Sequence, residues 1–261
     1  MSPQFRTLTL ARDGAVARIT LDRPDAANCV NQEMGAELAQ VARDVASDPS
    51  VRAVLLTGSG RFFCAGGDVK EMAGYGERAD LEMKKLADDL HQAVTSFARM
   101  DAPLVVAVNG TVAGAGIGLA IMGDLVLAAD SASFTLAYTN VGLSPDGGTT
   151  YALPRLIGLR RTQELIFTNR TLRAPEALEW GLVTQVLPAA ELDAEATALA
   201  QRLAAGPKNS YRTVRQLLLS TFDHGLETHL ELEGRGISAC AVGDGREGVA
   251  AFVDKRAPKF V

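Results

Sequence analysis

A strand–loop–helix rhythm constrains this chain more than any single residue does. Residues 51–56 and 104–108 are short apolar runs of the kind that form buried strands, and residues 125–128 and the stretch around Phe134 are strand-like again. Amphipathic stretches lie before and between them. Met34, Leu38, Val41 and Val45 fall on one helical face, with Asn31 placed to cap it, and Met83, Leu86, Leu90, Val94 and Phe97 fall on another. Pro103 stops the second helix, and an Asn109–Gly110 turn leads into residues 111–122, which are rich in Gly and Ala. The units recur at several tens of residues without an exact repeat. Alternation of this kind predicts an α/β layer architecture with right-handed crossovers. Ahead of it, Leu8 and Leu10 alternate, Asp13–Gly14 supplies a turn and residues 16–21 return, which reads as a hairpin. Beyond Pro154 the pattern changes. Leu192, Ala196, Leu199 and Leu203 share a helical face, and helical segments run to about Phe252, so the last third reads as a mostly helical packing or oligomerisation layer.

The 261 residues can bury a sizeable core, as one large domain or a domain with an extension. With 47% hydrophobic and 22% charged residues the chain has an ordinary globular balance, and its net charge of −5 argues against a general nucleic-acid surface. Cys29, Cys64 and Cys240 are widely spaced and odd in number, which fits a reducing compartment rather than a disulfide framework or a zinc site. The first residues lack a basic segment followed by an apolar run, so no signal peptide is expected. The apolar region 104–129 is cut by Asn109 and by Gly110, Gly114, Gly116, Gly118 and Gly123, and does not read as a membrane span. A cytoplasmic protein is the expectation.

Residues 61–72, RFFCAGGDVKEM, carry the first chemical signal. The small residues from Cys64 to Gly67 let the backbone turn sharply and approach a ligand closely. Asp68 and Glu71 stand three apart, as in a capping box, so a helix is expected to start at Val69. Unpaired N–H groups at such a start face outward at a partly positive end, where a developing oxyanion is stabilised. A glycine-rich turn before a helix is more often only a turn. Residues 74–80, polar and containing glycine, read as a candidate mobile flap.

Three segments, in this order and spacing, are specific together: FCAGGDVKEM at 63–72, VNGTVAGAGIGLAIMGDLVLAAD at 108–130 and EGVAAFVDKRAPKF at 247–260. On them the chain resembles the enoyl-CoA hydratase/isomerase, or crotonase, family over nearly its whole length. The resemblance implies an α/β fold, a crotonase-like spiral of β-β-α repeats over residues 1–200. It implies a helical C-terminal region, 201–261, that assembles homotrimers, often paired as hexamers. It implies an acyl-CoA thioester as partner, with coenzyme A as part of the substrate and no prosthetic group or metal.

By position in these motifs, the backbone N–H groups of Gly67 and Ala115 are the expected pair that holds the thioester oxygen; the alternative is that both are tight-packing positions. Hydratases of the family use two glutamates. The first belongs three residues after the second donor, where Gly118 stands, and the second four residues after Phe134, where Tyr138 stands. Neither is an acid, so a two-carboxylate hydration has neither its general acid nor its general base. Asp146, in GLSPDGG at 142–148, lies where several isomerases of the family carry an acid, and the run through LPRLIG at 153–158 resembles them too. The reading is an enoyl-CoA isomerase that shifts a double bond through a thioester enolate, with Asp146 as proton shuttle. Asp146 could instead cap the helix that follows. The same oxyanion hole also serves thioester hydrolysis and C–C bond changes, and a catalytically silent acyl-CoA-binding protein is the further alternative.

The resemblance also places coenzyme A. Residues around the first motif, Ala65, Gly66, Asp68 and Val69, are expected along its adenine and pantetheine, with Arg23 as local positive charge and Phe252 and Lys255 reaching it across a subunit boundary. The lysine-bearing tail reads equally well as solvated. Asp68 is expected to act as a helix cap and Cys64 as a small buried residue. His91, His224 and His229 read as surface or satisfied histidines; Tyr75 and Tyr138 could line the acyl pocket, though no motif gives them a role. Lys84 and Lys85 are followed by Asp88 and Asp89, so no basic stripe for RNA forms.

Overall fold

The hairpin expected at the start is present: β1 (Leu8–Asp13) runs antiparallel to β2 (Val16–Leu21), turning through Gly14 and Ala15. A computed structural model describes residues 5–260; residues 1–4 and 261, the ends assigned above to the core and to the helical region, lie outside the described residues. Asn31 then caps α1 (Gln32–Ser47), its side chain accepting the Met34 N–H at 2.9 Å.

From Ala53 the chain winds in three turns. Each turn lays one strand into a first sheet and a shorter one into a second, then crosses back through helix. The first turn is β3 (Ala53–Gly58), β4 (Phe62–Cys64), α2 (Val69–Met72) and α3 (Ala79–Arg99). The second is β5 (Leu104–Val108), β6 (Thr111–Ala113) and α4 (Ala115–Ile121). The third is β7 (Leu125–Ala129), β8 (Ser133–Thr135), α5 (Thr149–Leu156) and α6 (Leu159–Thr168). After β9 (Leu172–Arg173) and α7 (Ala174–Glu179), β10 (Gln185–Leu187) returns to the first sheet. The sheet orders are β1-β2-β3-β5-β7-β10 and β4-β6-β8-β9. From β2 onward the first sheet is parallel, in register through pairs such as Leu56 with Val106 and Val106 with Val126. A parallel sheet is covered on both faces, which is why β5 reads as an unbroken apolar run and all five of its residues are buried. The chain is therefore an α/β spiral of β-β-α repeats.

α8 (Leu192–Ala204) lies on the first sheet through Ala196 and Ala200, both fully buried. α9 (Lys208–Ser220), α10 (Leu226–Val242) and α11 (Asp244–Val253) complete the helical end. α9 is fixed by Arg215, 8% exposed, which donates to Asp124, to the Phe97 carbonyl at 2.8 Å and to the Met100 carbonyl. α10 buries no residue, and Leu226, Leu230 and Ile237 on it are exposed.

Three details differ from the sequence reading. Residues 74–80 form a 3-10 turn at Gly76–Arg78 that runs directly into α3. That segment is tied rather than loose: Glu71 accepts the Tyr75 hydroxyl at 2.9 Å and the Gln32 N–H at 2.9 Å. The Asp68 N–H donates to the Val30 carbonyl instead of to Glu71, so only the Asp68 half of the expected capping box forms, with Asp68 accepting the Glu71 N–H at 3.3 Å. Pro154 sits inside α5 rather than at a change of structure. Among the described residues, no helix is long and apolar enough to cross a membrane.

Candidate active site

The two glycine-containing turns of the first and second repeats meet. Gly66 has φ +102° and Gly114 φ +47°, and a Cβ on Gly66 would lie 3.0 Å from the Ala113 carbonyl oxygen and 3.4 Å from the Gly114 Cα. Backbones approach this closely only without side chains. The loop 65–68 is held on its other side by the extended residues before α1: the Val30 N–H donates to Gly66 at 2.7 Å, and the Asp68 N–H to Val30 at 2.9 Å. Among the described residues the Gly67 N–H, between those two bonds, donates to no backbone carbonyl. Ala115 is the first residue of α4, a position whose N–H has no acceptor within its own helix.

Gly67 and Ala115 line one cavity of about 580 Å³, within the range of small-molecule sites. Ala65, Gly66 and Val69 line it with them, and Met72, Leu86, Leu90 and Leu143 make it mostly apolar. Asp146 lines the same cavity, half-buried. Asp80 and Lys84 lie at its exposed edge. The structure thus brings the three residues Gly67, Ala115 and Asp146 together from three separate turns of the spiral.

Asp146 does not cap α5 with its side chain: the cap position is Gly148, and no side chain bonds to that helix start. Its carboxylate instead accepts the Tyr138 hydroxyl at 2.6 Å. Burial, and then the charge of Asp146, push the Tyr138 phenol up, so that it stays a donor. The Gly147 N–H donates to His91 Nε2 at 3.1 Å. Gly118 lies directly beneath this loop, and a Cβ there would collide with the Gly147 carbonyl oxygen. The position where a hydratase glutamate would stand is therefore filled by the backbone that follows Asp146.

Other residues singled out from sequence sit elsewhere. Arg23 pairs with Asp68 at 3.0 Å and donates to the Cys29 carbonyl, bracing the loop from behind; neither Arg23 nor Asp68 lines the cavity. Phe252, 85% exposed, and Lys255 lie at the end of α11 and do not line it either. Cys64 is buried and its thiol is pushed up to about 12 by desolvation, which leaves it inert as a nucleophile. Among the described residues no group of His, Cys, Asp or Glu is arranged to hold a metal ion. Tyr138 lines the cavity and Tyr75 does not, and Tyr138 and His91 both touch the Asp146 loop.

The Enoyl-CoA hydratase/isomerase family profile matches residues 11–261. A protein of Escherichia coli (strain K12) named 1,2-epoxyphenylacetyl-CoA isomerase is 40% identical over 94% of each chain. A protein of Rhodobacter capsulatus named Probable enoyl-CoA hydratase is 36% identical over 98% of each. The crystal structure of an enoyl-CoA hydratase from Bacillus anthracis superposes with a TM-score of 0.92 at 31% identity, covering 98% of this chain and 99% of that one.

Proposed function

Because the chain belongs to the enoyl-CoA hydratase/isomerase family, and is an acyl-CoA-processing enzyme on that ground, we propose that it isomerises an unsaturated acyl-CoA with Asp146 as proton carrier. The observation that carries this reading is a half-buried carboxylate, Asp146, sharing a cavity with the N–H groups of Gly67 and Ala115, while the cavity's other carboxylate, Asp80, lies at its exposed edge. Gly118 and Tyr138 occupy the two positions where hydration would need acids.

The thioester oxygen sits between the Gly67 and Ala115 N–H groups. For a 3-enoyl-CoA, the Asp146 carboxylate takes a proton from C2: the C–H bond breaks, an O–H bond forms, and the electron pair moves into the thioester as an enolate. A backbone donor aimed at the oxygen where charge develops lowers the barrier by roughly 3 kcal/mol. The Asp146 O–H bond then breaks as the proton goes to C4, leaving the double bond between C2 and C3. Tyr138 occupies one carboxylate oxygen and leaves the other for the proton. The apolar wall of Met72, Leu86, Leu90 and Leu143 favours a neutral acyl group over a charged one. The E. coli relative's name adds a ring-bearing acyl-CoA as the second substrate class to test.

Coenzyme A lies along Ala65, Gly66 and Val69, with Arg23 and Asp68 supporting that loop. Phe252 and Lys255 reach it from a neighbouring subunit. Incubating the enzyme with 3-enoyl-CoA and ring-bearing acyl-CoAs, separating the products and following both their mass and the ultraviolet absorbance of a conjugated thioester tests the reading. An isomer of unchanged mass is expected; a product heavier by one water, or free coenzyme A from thioester hydrolysis, as the main product overturns it.

A further inference from the structure

The loop that carries Asp146 is fastened from the opposite wall of the cavity. His91 follows Leu90 on α3; Leu90 faces the cavity, while His91 is exposed on a groove between α1 and α3 with Arg43 and Arg99. From there Nε2 reaches the N–H of the buried Gly147 at 3.1 Å. An acceptor at Nε2 puts the ring proton on Nδ1. Gly147 has φ +60° and no side chain with which to anchor itself. Three further bonds fix its neighbour: the Asp146 carbonyl accepts the Thr149 N–H at 3.1 Å and its hydroxyl at 2.8 Å, and the carboxylate accepts Tyr138. The carboxylate is thus held at its tip, at its own carbonyl and at the next peptide, and of these three ties only the His91 bond comes from α3.

A group that must meet a carbon atom at bonding distance depends on such support, since a misplacement of about 1 Å can cost about 10²-fold in rate. We propose that His91 is a positioning residue for the Asp146 loop, acting through its bond to the Gly147 N–H and never touching substrate. The proposal rests on the reading of Asp146 as the proton carrier. A histidine that is merely an exposed helix residue would tolerate any polar or apolar replacement.

The test compares His91→Gln, which keeps an acceptor of similar reach, with His91→Leu, which keeps bulk without one. Steady-state isomerisation of a 3-enoyl-CoA and amide hydrogen exchange of residues 142–149 are read on each full-length variant. His91→Leu is expected to lower kcat by about ten- to a hundred-fold with KM little changed and to speed exchange in the loop, whereas His91→Gln stays near wild type in both. In an Asp146→Asn background, His91→Leu is expected to add no further loss. Unchanged exchange in His91→Leu, equal losses in the two variants, or an undiminished additional loss in the Asp146→Asn background overturns the assignment. The exchange readout does not depend on the reaction. A wild type that fails to isomerise while His91→Leu still loosens the loop therefore overturns the isomerase reading, and unchanged exchange overturns His91.

Discussion

At Gly118 the missing side chain is enforced by packing, because the Gly147 carbonyl oxygen stands where its Cβ would be. Gly118→Glu is accordingly expected to push the Asp146 loop aside rather than restore a hydratase acid. A loss of about 1–3 kcal/mol by thermal or urea unfolding, with no gain in crotonyl-CoA hydration, is the expected result; a stable variant that hydrates would contradict the packing argument. Cys64 offers a pH test. Its native pKa lies above the ordinary thiol value of 9.0, at about 12, so the folded protein holds the proton that the unfolded chain releases. This contribution to stability is complete below about pH 9 and is lost as pH rises from there through about 12. Iodoacetamide at pH 9 should leave Cys64 unlabelled in the folded protein and label it once denatured, by mass mapping; native labelling at the denatured rate would contradict its burial. Gly67, Ala115 and Asp146 were legible as motif positions, and their shared site only through the resemblance. Tyr138 and His91 were illegible as partners because their bonds join positions 8 and 56 apart, and sequence spacing marks neither.

Helices with a regular apolar stripe could be read directly: the faces of α1 and α3 contain Leu38, Val41, Leu90 and Phe97, all buried. Segments whose structure comes from specific bonds could not. The start of α3 was read as a flap because nothing in its polar sequence announces the Glu71 bonds to Tyr75 and Gln32. Strand β10, three residues long, is too short to show alternation, and its place beside β7 comes from parallel pairing at long range. α9 is a similar case, since its anchor is an arginine, Arg215, which that helix buries while Val214 and Leu218 stay exposed. Arg215→Met would leave the Phe97 and Met100 carbonyls at the end of α3 without their donor. Asp124 keeps the Leu104 N–H at 2.7 Å and is one-third exposed, so the loss should fall near the low end of the range for a broken buried pair, about 3 kcal/mol. Denaturant unfolding checks this, and a change under about 0.5 kcal/mol would contradict the anchoring role.

For the molecule as a whole, the helical end leaves Leu226, Leu230, Ile237 and Phe252 exposed, as the spiral leaves Leu159 and Phe167. Large exposed apolar surface on an otherwise well-packed chain marks an interaction site. Sedimentation is expected to show a trimer or hexamer in which these residues are covered; a stable monomer with full acyl-CoA affinity would contradict the assembly. The strand–helix rhythm and the three motifs made the architecture readable, because both depend on local patterning. Reaction type is harder to read, since it turns on one carboxylate and what holds it. The most direct measurement is the rate at which wild type and Asp146→Asn convert a 3-enoyl-CoA to its conjugated 2-enoyl isomer, with product mass followed alongside. The single-carboxylate account expects isomerisation without water addition, slowed by roughly 10²–10⁴ in Asp146→Asn with substrate binding largely kept. Equal isomerisation rates in the two proteins, or efficient addition of water by wild type, would contradict it.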